Sequence, residues 1–212
     1  MKSSTYKYPF LKYEYIGFDV DGTLYDEFSF VSQAYLSIAS FLSRKFEIDK
    51  DSLYDELLKT WKQKSSSFPI IQETLKSVYK IDLDSETVKK CIDIYRDCNF
   101  TIRLFTKIEL LLNYLAENKK RLFVVTDGNK GLQFKKVHSL QLERWFDKTS
   151  IFISGNYGKG YQKPSGLIVK VVKNYLENNQ KVLFVGDRTV DQQFALNAGF
   201  DFLNIKDFLE ND

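Results

Sequence analysis

The stretch that most constrains the fold is Tyr15–Asp26, which reads Tyr-Ile-Gly-Phe-Asp-Val-Asp-Gly-Thr-Leu-Tyr-Asp. It begins as an apolar run and reaches two carboxylates, Asp19 and Asp21, followed at once by Gly22 and Thr23. An apolar strand that stops on acidic side chains and then turns sharply suits the carboxyl edge of a parallel sheet, where open α/β folds bind their ligands. Two acids this close repel each other unless one is protonated or a cation is present. The stretch therefore indicates a metal ion at a sheet edge.

Two other interpretations of this stretch need comparison with the metal site. Asp-x-Asp after a strand is also ordinary turn chemistry, because aspartate caps helices and tolerates tight turns. A calcium loop of the EF-hand type is excluded, since Gly22 comes too early and Phe30 stands where the bidentate glutamate is required. The choice between a turn and a metal site depends on the rest of the chain.

Composition limits the class of protein and its partners. The 212 residues, 43% of them hydrophobic, suffice for one α/β domain or for a core with a small second domain. The net charge of +3 gives no reason to expect nucleic acid or an anionic membrane as a partner, and no apolar stretch is long enough to span a bilayer. Residues 1–15 lack the apolar core of a signal peptide, and Cys91 and Cys98 are expected to be small buried side chains. A cytoplasmic protein is the resulting expectation.

The hydrophobic pattern divides the chain into a helical segment and an alternating one. Between Phe28 and Arg96, apolar residues recur at helical spacing and predict about four helices, with a break at Ser65–Pro69. After Arg103, helices and strands alternate, which indicates βαβ units and a parallel sheet. The later predicted helices span 108–118, 131–140, 165–177 and 192–198, and the predicted strands span 14–18, 121–125, 150–154, 181–185 and the region near 202.

The first connection between strands is much longer than a parallel crossover needs. Asp21 and Arg121 are 100 residues apart, and the segment between them reads as helical. We therefore predict a doubly wound α/β core formed by residues 1–25 and 101–212, with residues 26–100 inserted as a small α-helical domain. Residues 1–13 are expected to be a poorly ordered lead-in.

Two further predicted strands end in polar residues, and a loop lysine lies between them. Thr126 and Asp127 follow the second strand, Lys163 follows the third, and Asp187 and Asp191 follow the fourth. Each has an ordinary structural explanation by itself, either as a helix cap or as a solvated loop residue. Taken together, carboxylates gathered at one edge are costly unless a Mg²⁺ ion and a substrate phosphate balance them.

These motifs resemble those of the haloacid dehalogenase superfamily, in its capped phosphatase-type subfamily. The four family motifs correspond to Asp19-Val20-Asp21-Gly22-Thr23, to Thr126, to Lys163, and to Gly186-Asp187 with Asp191. The resemblance covers the first strand and residues 104–205. It implies a Rossmann-like core, with the helical insertion as the family's cap domain.

The resemblance also implies an activity: Mg²⁺-dependent hydrolysis of a small phosphorylated metabolite through an aspartyl-phosphate intermediate. Asp19 is then the nucleophile, and Asp21 is the acid and base that serves the leaving oxygen and the attacking water. Asp19, Asp187 and the backbone carbonyl of Asp21 are the implied Mg²⁺ ligands. Asp191 is expected to support the metal or to orient the loop lysine.

The implied phosphate site consists of Thr126, Asp127 and Lys163, with the lysine also stabilising the transferring group as a point charge. Asp127 departs from the family, which commonly has asparagine there, and it adds negative charge near the phosphate. Asp21 argues against the carbon–halogen and phosphonate-cleaving branches, which lack this acid. A phosphosugar mutase with the same core residues, and a binding or regulatory protein without turnover, remain alternatives. The sequence does not indicate an oligomeric state.

Overall fold

The structure, a computed structural model, describes residues 8–64, 69–177 and 179–210. The chain divides into two units, one that runs up to Asp26 and resumes at Ile102, and one that spans Glu27–Thr101. Within the described ranges, no helix is both long enough and apolar enough to cross a membrane. Most of the predicted break at Ser65–Pro69 lies outside the described residues, because the description stops at Lys64 and resumes at Pro69.

The unit from Glu27 to Thr101 is helical in the part that the structure describes. Its helices are α1 (Glu27–Phe46), α2 (Lys50–Lys64), α3 (Ile70–Tyr79) and α4 (Ser85–Asp97). Of the residues predicted to recur at helical spacing in α1, Phe30 and Ile38 are fully buried, whereas Phe41 is only partly buried. Asp84 caps α4 by accepting the Thr87 N–H at 2.6 Å. The predicted inserted helical segment is thus confirmed. Cys91 is buried as expected, whereas Cys98 is only partly buried.

A five-stranded parallel sheet forms the centre of the other unit. Its strands are β1 (Tyr15–Phe18), β2 (Arg121–Thr126), β3 (Ile151–Ile153), β4 (Val182–Gly186) and β5 (Asp201–Asn204). Their spatial order is β3-β2-β1-β4-β5, so the winding direction reverses at β1. In register, Phe18 lies beside Val124 of β2 and beside Val185 of β4. The predicted doubly wound sheet is confirmed, and its point of reversal is where such folds bind ligands.

The remaining helices follow the strands in alternation: α5 (Thr106–Glu117), α6 (Lys130–Ser139), α7 (Gly166–Tyr175), α8 (Thr189–Ala198) and α9 (Ile205–Glu210). α8 begins three residues before its predicted start, because the Asp191 carboxylate accepts the Arg188 N–H and so stabilises the first turn. The rings of Phe123 and Phe184 belong to one cluster of buried hydrophobic side chains.

The expectation of a poorly ordered lead-in is wrong for residues 8–13. Phe10–Lys12 form a 3-10 turn, and Phe10 and Tyr13 are each only 1% exposed. The Phe10 ring packs edge to face on Phe208, and the Tyr13 hydroxyl donates a hydrogen bond to Asp201 at 2.7 Å. Two buried aromatic rings therefore fix this segment beside β5 and α9, while residues 1–7 lie outside the described residues.

The sheet has no room for a side chain at Gly17 of β1, and this predicts a large effect of a single methyl group. A Cβ atom added to Gly17 would lie 2.3 Å from the Phe123 ring and 2.8 Å from the Phe184 ring. We expect Gly17→Ala to lower the free energy of unfolding by about 1–3 kcal/mol, measured by urea unfolding. Gly166→Ala, which meets no atom within 4 Å, is the control and should change it by less than about 1 kcal/mol. Equal urea midpoints for the two variants would contradict this account of the core.

Candidate active site

Three adjacent strands end in polar side chains at the carboxyl edge of the sheet. Asp19 follows β1, Thr126 is the last residue of β2, and Asp187 follows β4. The Asp19 N–H donates to the Val185 carbonyl at 3.0 Å, which continues the pairing of β1 and β4 one residue further. Asp19 is 1% exposed, so its carboxylate is held inside the edge.

Lys163 joins two of the predicted acids. Its Nζ atom donates to Oδ1 of Asp19 and to Oδ1 of Asp191, each at 2.6 Å, and all three side chains are at most 1% exposed. The loop that carries Lys163 is held by Asp127, whose two carboxylate oxygens each accept the Lys163 backbone N–H at 3.1 Å. The Asp127 side chain is thus engaged with the lysine loop, and its predicted role at the phosphate stays a prediction.

Asp191 reaches this cluster because Gly186 leaves room for it. A Cβ atom at Gly186 would lie 2.4 Å from the Asp191 Cβ atom. The second oxygen of Asp191 accepts the Arg188 N–H at 3.1 Å, which fixes the carboxylate at the start of α8. The contact with Lys163 fits one of the two roles expected for Asp191, which is to orient the loop lysine.

The carboxylates of Asp19, Asp187 and Asp191 form a candidate metal centre. Each offers an oxygen, and the three oxygens lie within 4.8 Å of one another. Among the described residues, Oδ2 of Asp19 and Oδ1 of Asp187 are buried without a hydrogen-bond partner. Gly22, with φ of +76°, brings its backbone against Asp187, where a Cβ atom would lie 2.6 Å from the carboxylate. Buried carboxylate oxygens with open lone pairs fit a hard divalent cation.

The charges of this cluster do not balance without a cation. Burial raises the pKa of Asp19 to about 7, an effect that Lys163 opposes and that Asp191 reinforces. Burial also raises the pKa of Asp187. One buried ammonium group therefore serves several carboxylates, and a divalent ion between them would favour their ionised forms. Arg188 adds charge at the edge of the cluster, with its guanidinium 3.9 Å from Asp19 and 3.8 Å from Asp187.

Asp21 lies apart from the lysine pair and has partners of its own. Its Oδ1 accepts hydrogen bonds from Lys136 Nζ at 2.5 Å and from the Tyr25 hydroxyl, and its Oδ2 accepts one from Gln133 Nε2 at 3.0 Å. Burial raises the pKa of this carboxyl, but Lys136 and the hydrogen bonds outweigh it, so the pKa of Asp21 lies below its ordinary value. The Asp21 side chain is not among the three carboxylates of the candidate metal centre.

Thr126 is connected to Asp21 through Gln133. The buried Thr126 hydroxyl donates to Gln133 Oε1 at 3.3 Å, and the amide nitrogen of the same glutamine donates to Asp21. The suggestion that Thr126 or Asp127 caps the following helix is wrong, because Asn129 accepts the Leu132 N–H at 3.1 Å and caps α6. Thr126 therefore belongs to the network of the site.

Sequence reasoning missed four residues of this site: Tyr25, Gln133, Lys136 and Arg188. For two of them a signal exists, since Gln133 and Lys136 lie on the buried side of α6 beside Leu132 and Val137. A polar side chain in the apolar stripe of a helix needs a buried partner, which indicates a polar site below it. Tyr25 and Arg188 carry no comparable signal.

The comparisons with known proteins identify the family of the chain. The family described as haloacid dehalogenase-like hydrolase matches residues 16–205. The glyceraldehyde 3-phosphate phosphatase of Pyrococcus abyssi is 27% identical over 188 residues, which cover 87% of this chain and 77% of that protein.

Two solved structures illustrate the likeness of fold. The magnesium-bound structure of YfnB from Bacillus subtilis has a TM-score of 0.61 at 20% identity and covers 90% of this chain and 86% of its own. A subfamily IA hydrolase of the same superfamily from Geobacter sulfurreducens has a TM-score of 0.62 at 16% identity, with coverage of 94% and 89%. At these identities the likeness shows the fold alone.

The buried lysine predicts a pH-dependent loss of stability on its removal. Lys163→Met leaves Asp19 and Asp191 buried without their cation, and we expect it to cost about 3–5 kcal/mol at pH 8. Because the pKa of Asp19 is raised to about 7, this carboxyl becomes neutral at lower pH, so the cost should shrink at pH 5. Urea unfolding without divalent ions measures both values. Lys159→Met, at an exposed lysine four residues earlier, is the control. A cost that is equal at pH 5 and pH 8 would contradict the assignment.

Proposed function

Because the chain belongs to the haloacid dehalogenase-like hydrolase family, we propose that it is a Mg²⁺-dependent phosphatase that acts on a small phosphorylated metabolite. The observation that carries the proposal is the pairing of a buried carboxylate, Asp19, with a buried ammonium, Lys163, beside further carboxylates. Phosphoryl transfer depends chiefly on alignment and on neutralisation of charge, and this cluster offers a nucleophile together with groups that bind cations and anions.

In the first step, Asp19 attacks phosphorus, the bond from phosphorus to the leaving oxygen breaks, and an aspartyl-phosphate forms. Lys163 lies 2.6 Å from Asp19 and holds this carboxylate in place, while its charge stabilises the transferring phosphoryl group. Asp191 orients Lys163 through the second ion pair. Thr126 and the backbone of Asp127 complete the phosphate site. Mg²⁺, held by Asp19, Asp187 and the backbone carbonyl of Asp21, supplies neutralisation of the phosphate oxygens when it is bound.

Asp21 serves both steps as the proton-transfer group. It gives a proton to the leaving oxygen in the first step and takes one from water in the second. Its pKa is lowered in the free protein, which suits the second role. The protonated form needed for the first role is favoured by the negative charge of a bound phosphate, because a nearby like charge raises the pKa of a carboxyl.

The substrate class rests on two weaker indications. A similar protein of Pyrococcus abyssi is named a glyceraldehyde 3-phosphate phosphatase, which places three-carbon phosphates among the compounds to test. The helical unit Glu27–Thr101 is proposed to act as a cap, and a cap that excludes water during transfer favours a small substrate over a phosphoprotein. The net charge of +3 supports no nucleic-acid partner.

The first test of this function is release of inorganic phosphate from a panel of phosphorylated metabolites, three-carbon phosphates included. We expect turnover with Mg²⁺, none with a chelator, and a loss of at least about 10³-fold in Asp19→Asn, because the amide is a poor nucleophile. Lys159→Met, at an exposed loop lysine, should keep full activity. Turnover that survives in Asp19→Asn would contradict the proposal. Persistence of a bisphosphorylated sugar in place of phosphate release would favour a mutase on the same core.

Binding of Mg²⁺ should depend on pH in a defined direction. Since the pKa of Asp19 is raised to about 7 by burial, part of the metal-free protein carries a proton on this ligand at neutral pH. The metal binds the carboxylate form, so we expect affinity to increase as the pH rises from 6 to 8, with release of a proton. Titration calorimetry in buffers of different ionisation enthalpy measures both quantities. Affinity that does not change with pH would show that Asp19 is already ionised in the metal-free protein.

A further inference from the structure

The carboxylate of Asp21 is held by three donors that come from two different parts of the chain. Lys136 and Gln133 lie on α6, and Tyr25 lies in the segment after β1. Lys136 is 3% exposed and its Nζ lies 2.5 Å from Asp21 Oδ1, while Gln133 is 3% exposed and its Nε2 lies 3.0 Å from Oδ2. Each oxygen of this carboxylate is therefore fixed by a buried side chain of the same helix.

The orientation of the Gln133 amide follows from its neighbours. Its nitrogen is directed at two acceptors, the Asp21 carboxylate and the Asp127 carbonyl, each at 3.0 Å. Its oxygen accepts the Thr126 hydroxyl at 3.3 Å. Rotating the amide by 180° would direct an oxygen at two acceptors, so the hydrogen-bond network determines which atom faces Asp21.

This set of donors specifies the chemical form of Asp21. An ammonium group and an amide N–H donate hydrogen bonds and accept none, and a carboxylate has about four lone-pair positions. Three of these positions are filled, by Lys136, by Tyr25 and by Gln133. One acceptor position is left, on Oδ2, and a proton can be taken up there without displacing a partner. The three donors thus hold Asp21 as a base whose remaining acceptor position points in a fixed direction.

We infer that Lys136 and Gln133 are positioning residues for the hydrolysis of the aspartyl-phosphate, and that they act through Asp21. This inference rests on the proposed phosphatase function. In the step concerned, the oxygen of a water molecule forms a bond to phosphorus and the bond from phosphorus to Asp19 breaks, which returns the Asp19 carboxylate and releases phosphate. Asp21 takes the proton that the water loses and later passes it to solvent. Lys136 and Gln133 hold the Asp21 carboxylate in position for this proton transfer.

The test separates the two half-reactions with p-nitrophenyl phosphate, whose leaving group departs without a proton. For Lys136→Met we expect kcat to fall about 10²-fold, since a positioned general base contributes this much, while kcat/KM changes less than about threefold. The aspartyl-phosphate should accumulate, so that about one equivalent of p-nitrophenolate appears in a rapid burst before the slow steady state. A purely structural role of Lys136 would lower kcat and kcat/KM together and would give no burst.

Four further variants, one of them double, show whether Lys136 acts through Asp21. Lys135→Met removes the same charge from the exposed adjacent residue on α6 and should leave both constants unchanged. Lys136→Arg, which keeps a donor cation, should recover part of kcat. Asp21→Asn should give the same burst as Lys136→Met, and combining the two should lower kcat no further, because both remove one function.

Each result has a defined meaning. Wild-type protein that does not hydrolyse p-nitrophenyl phosphate with Mg²⁺ would overturn the proposed function, and with it this inference. Wild-type turnover together with equal losses of kcat and kcat/KM in Lys136→Met, or with multiplying losses in the double variant, would overturn the inference alone. Because kcat and kcat/KM come from one preparation, their ratio does not depend on the folded fraction. If Lys136→Met does not fold, Lys136→Gln takes its place with the same expectations.

Discussion

The edge of the sheet depends on one buried ammonium group. Lys163 lies between Asp19 and Asp191, and without it two anions would be adjacent in a space that excludes water, at a cost of several kcal/mol for each ion. The local structure serves this contact. Asp127 fixes the backbone of Lys163, and the missing side chain at Gly186 lets Asp191 approach. The geometry of the candidate site thus follows from one requirement, which is that a single buried lysine must offset the negative charges of neighbouring carboxylates.

The fold and the acidic edge could be predicted because both leave local patterns in the sequence. Buried parallel strands are apolar runs, helices show a period near 3.6, and polar residues at strand ends converge where the strands are parallel. The bounds could not be predicted where a side chain decides them, as at α8, whose first turn depends on the hydrogen bond from the Arg188 N–H to Asp191. Phe10 and Tyr13 were not expected to be ordered, because two aromatic residues in a short segment show no period, although both are buried.

The surroundings of Asp21 could not be predicted from motif spacing. Gln133 and Lys136 lie more than a hundred residues from Asp21 in sequence, and only the path of α6 across the sheet edge brings them to it. The only sign of them in the sequence is that two polar residues lie on the buried side of this helix. Polar residues are common on helices, so this sign becomes informative only when the position of the helix in the fold is known. Motifs name the reacting groups, whereas the fold determines what holds them.

The position of β1 has a consequence for how this unit is made. Among the five strands of this sheet β1 comes first along the chain, yet it lies between β2 and β4 at the centre of the sheet. While the chain leaves the ribosome, the apolar residues Ile16 and Phe18 stay without their second neighbour until β4 has also emerged. Pairings between distant segments form slowly, and an open strand edge binds other chains. The central strand that leads into Asp19 is therefore open to such contacts until β4 has been synthesised.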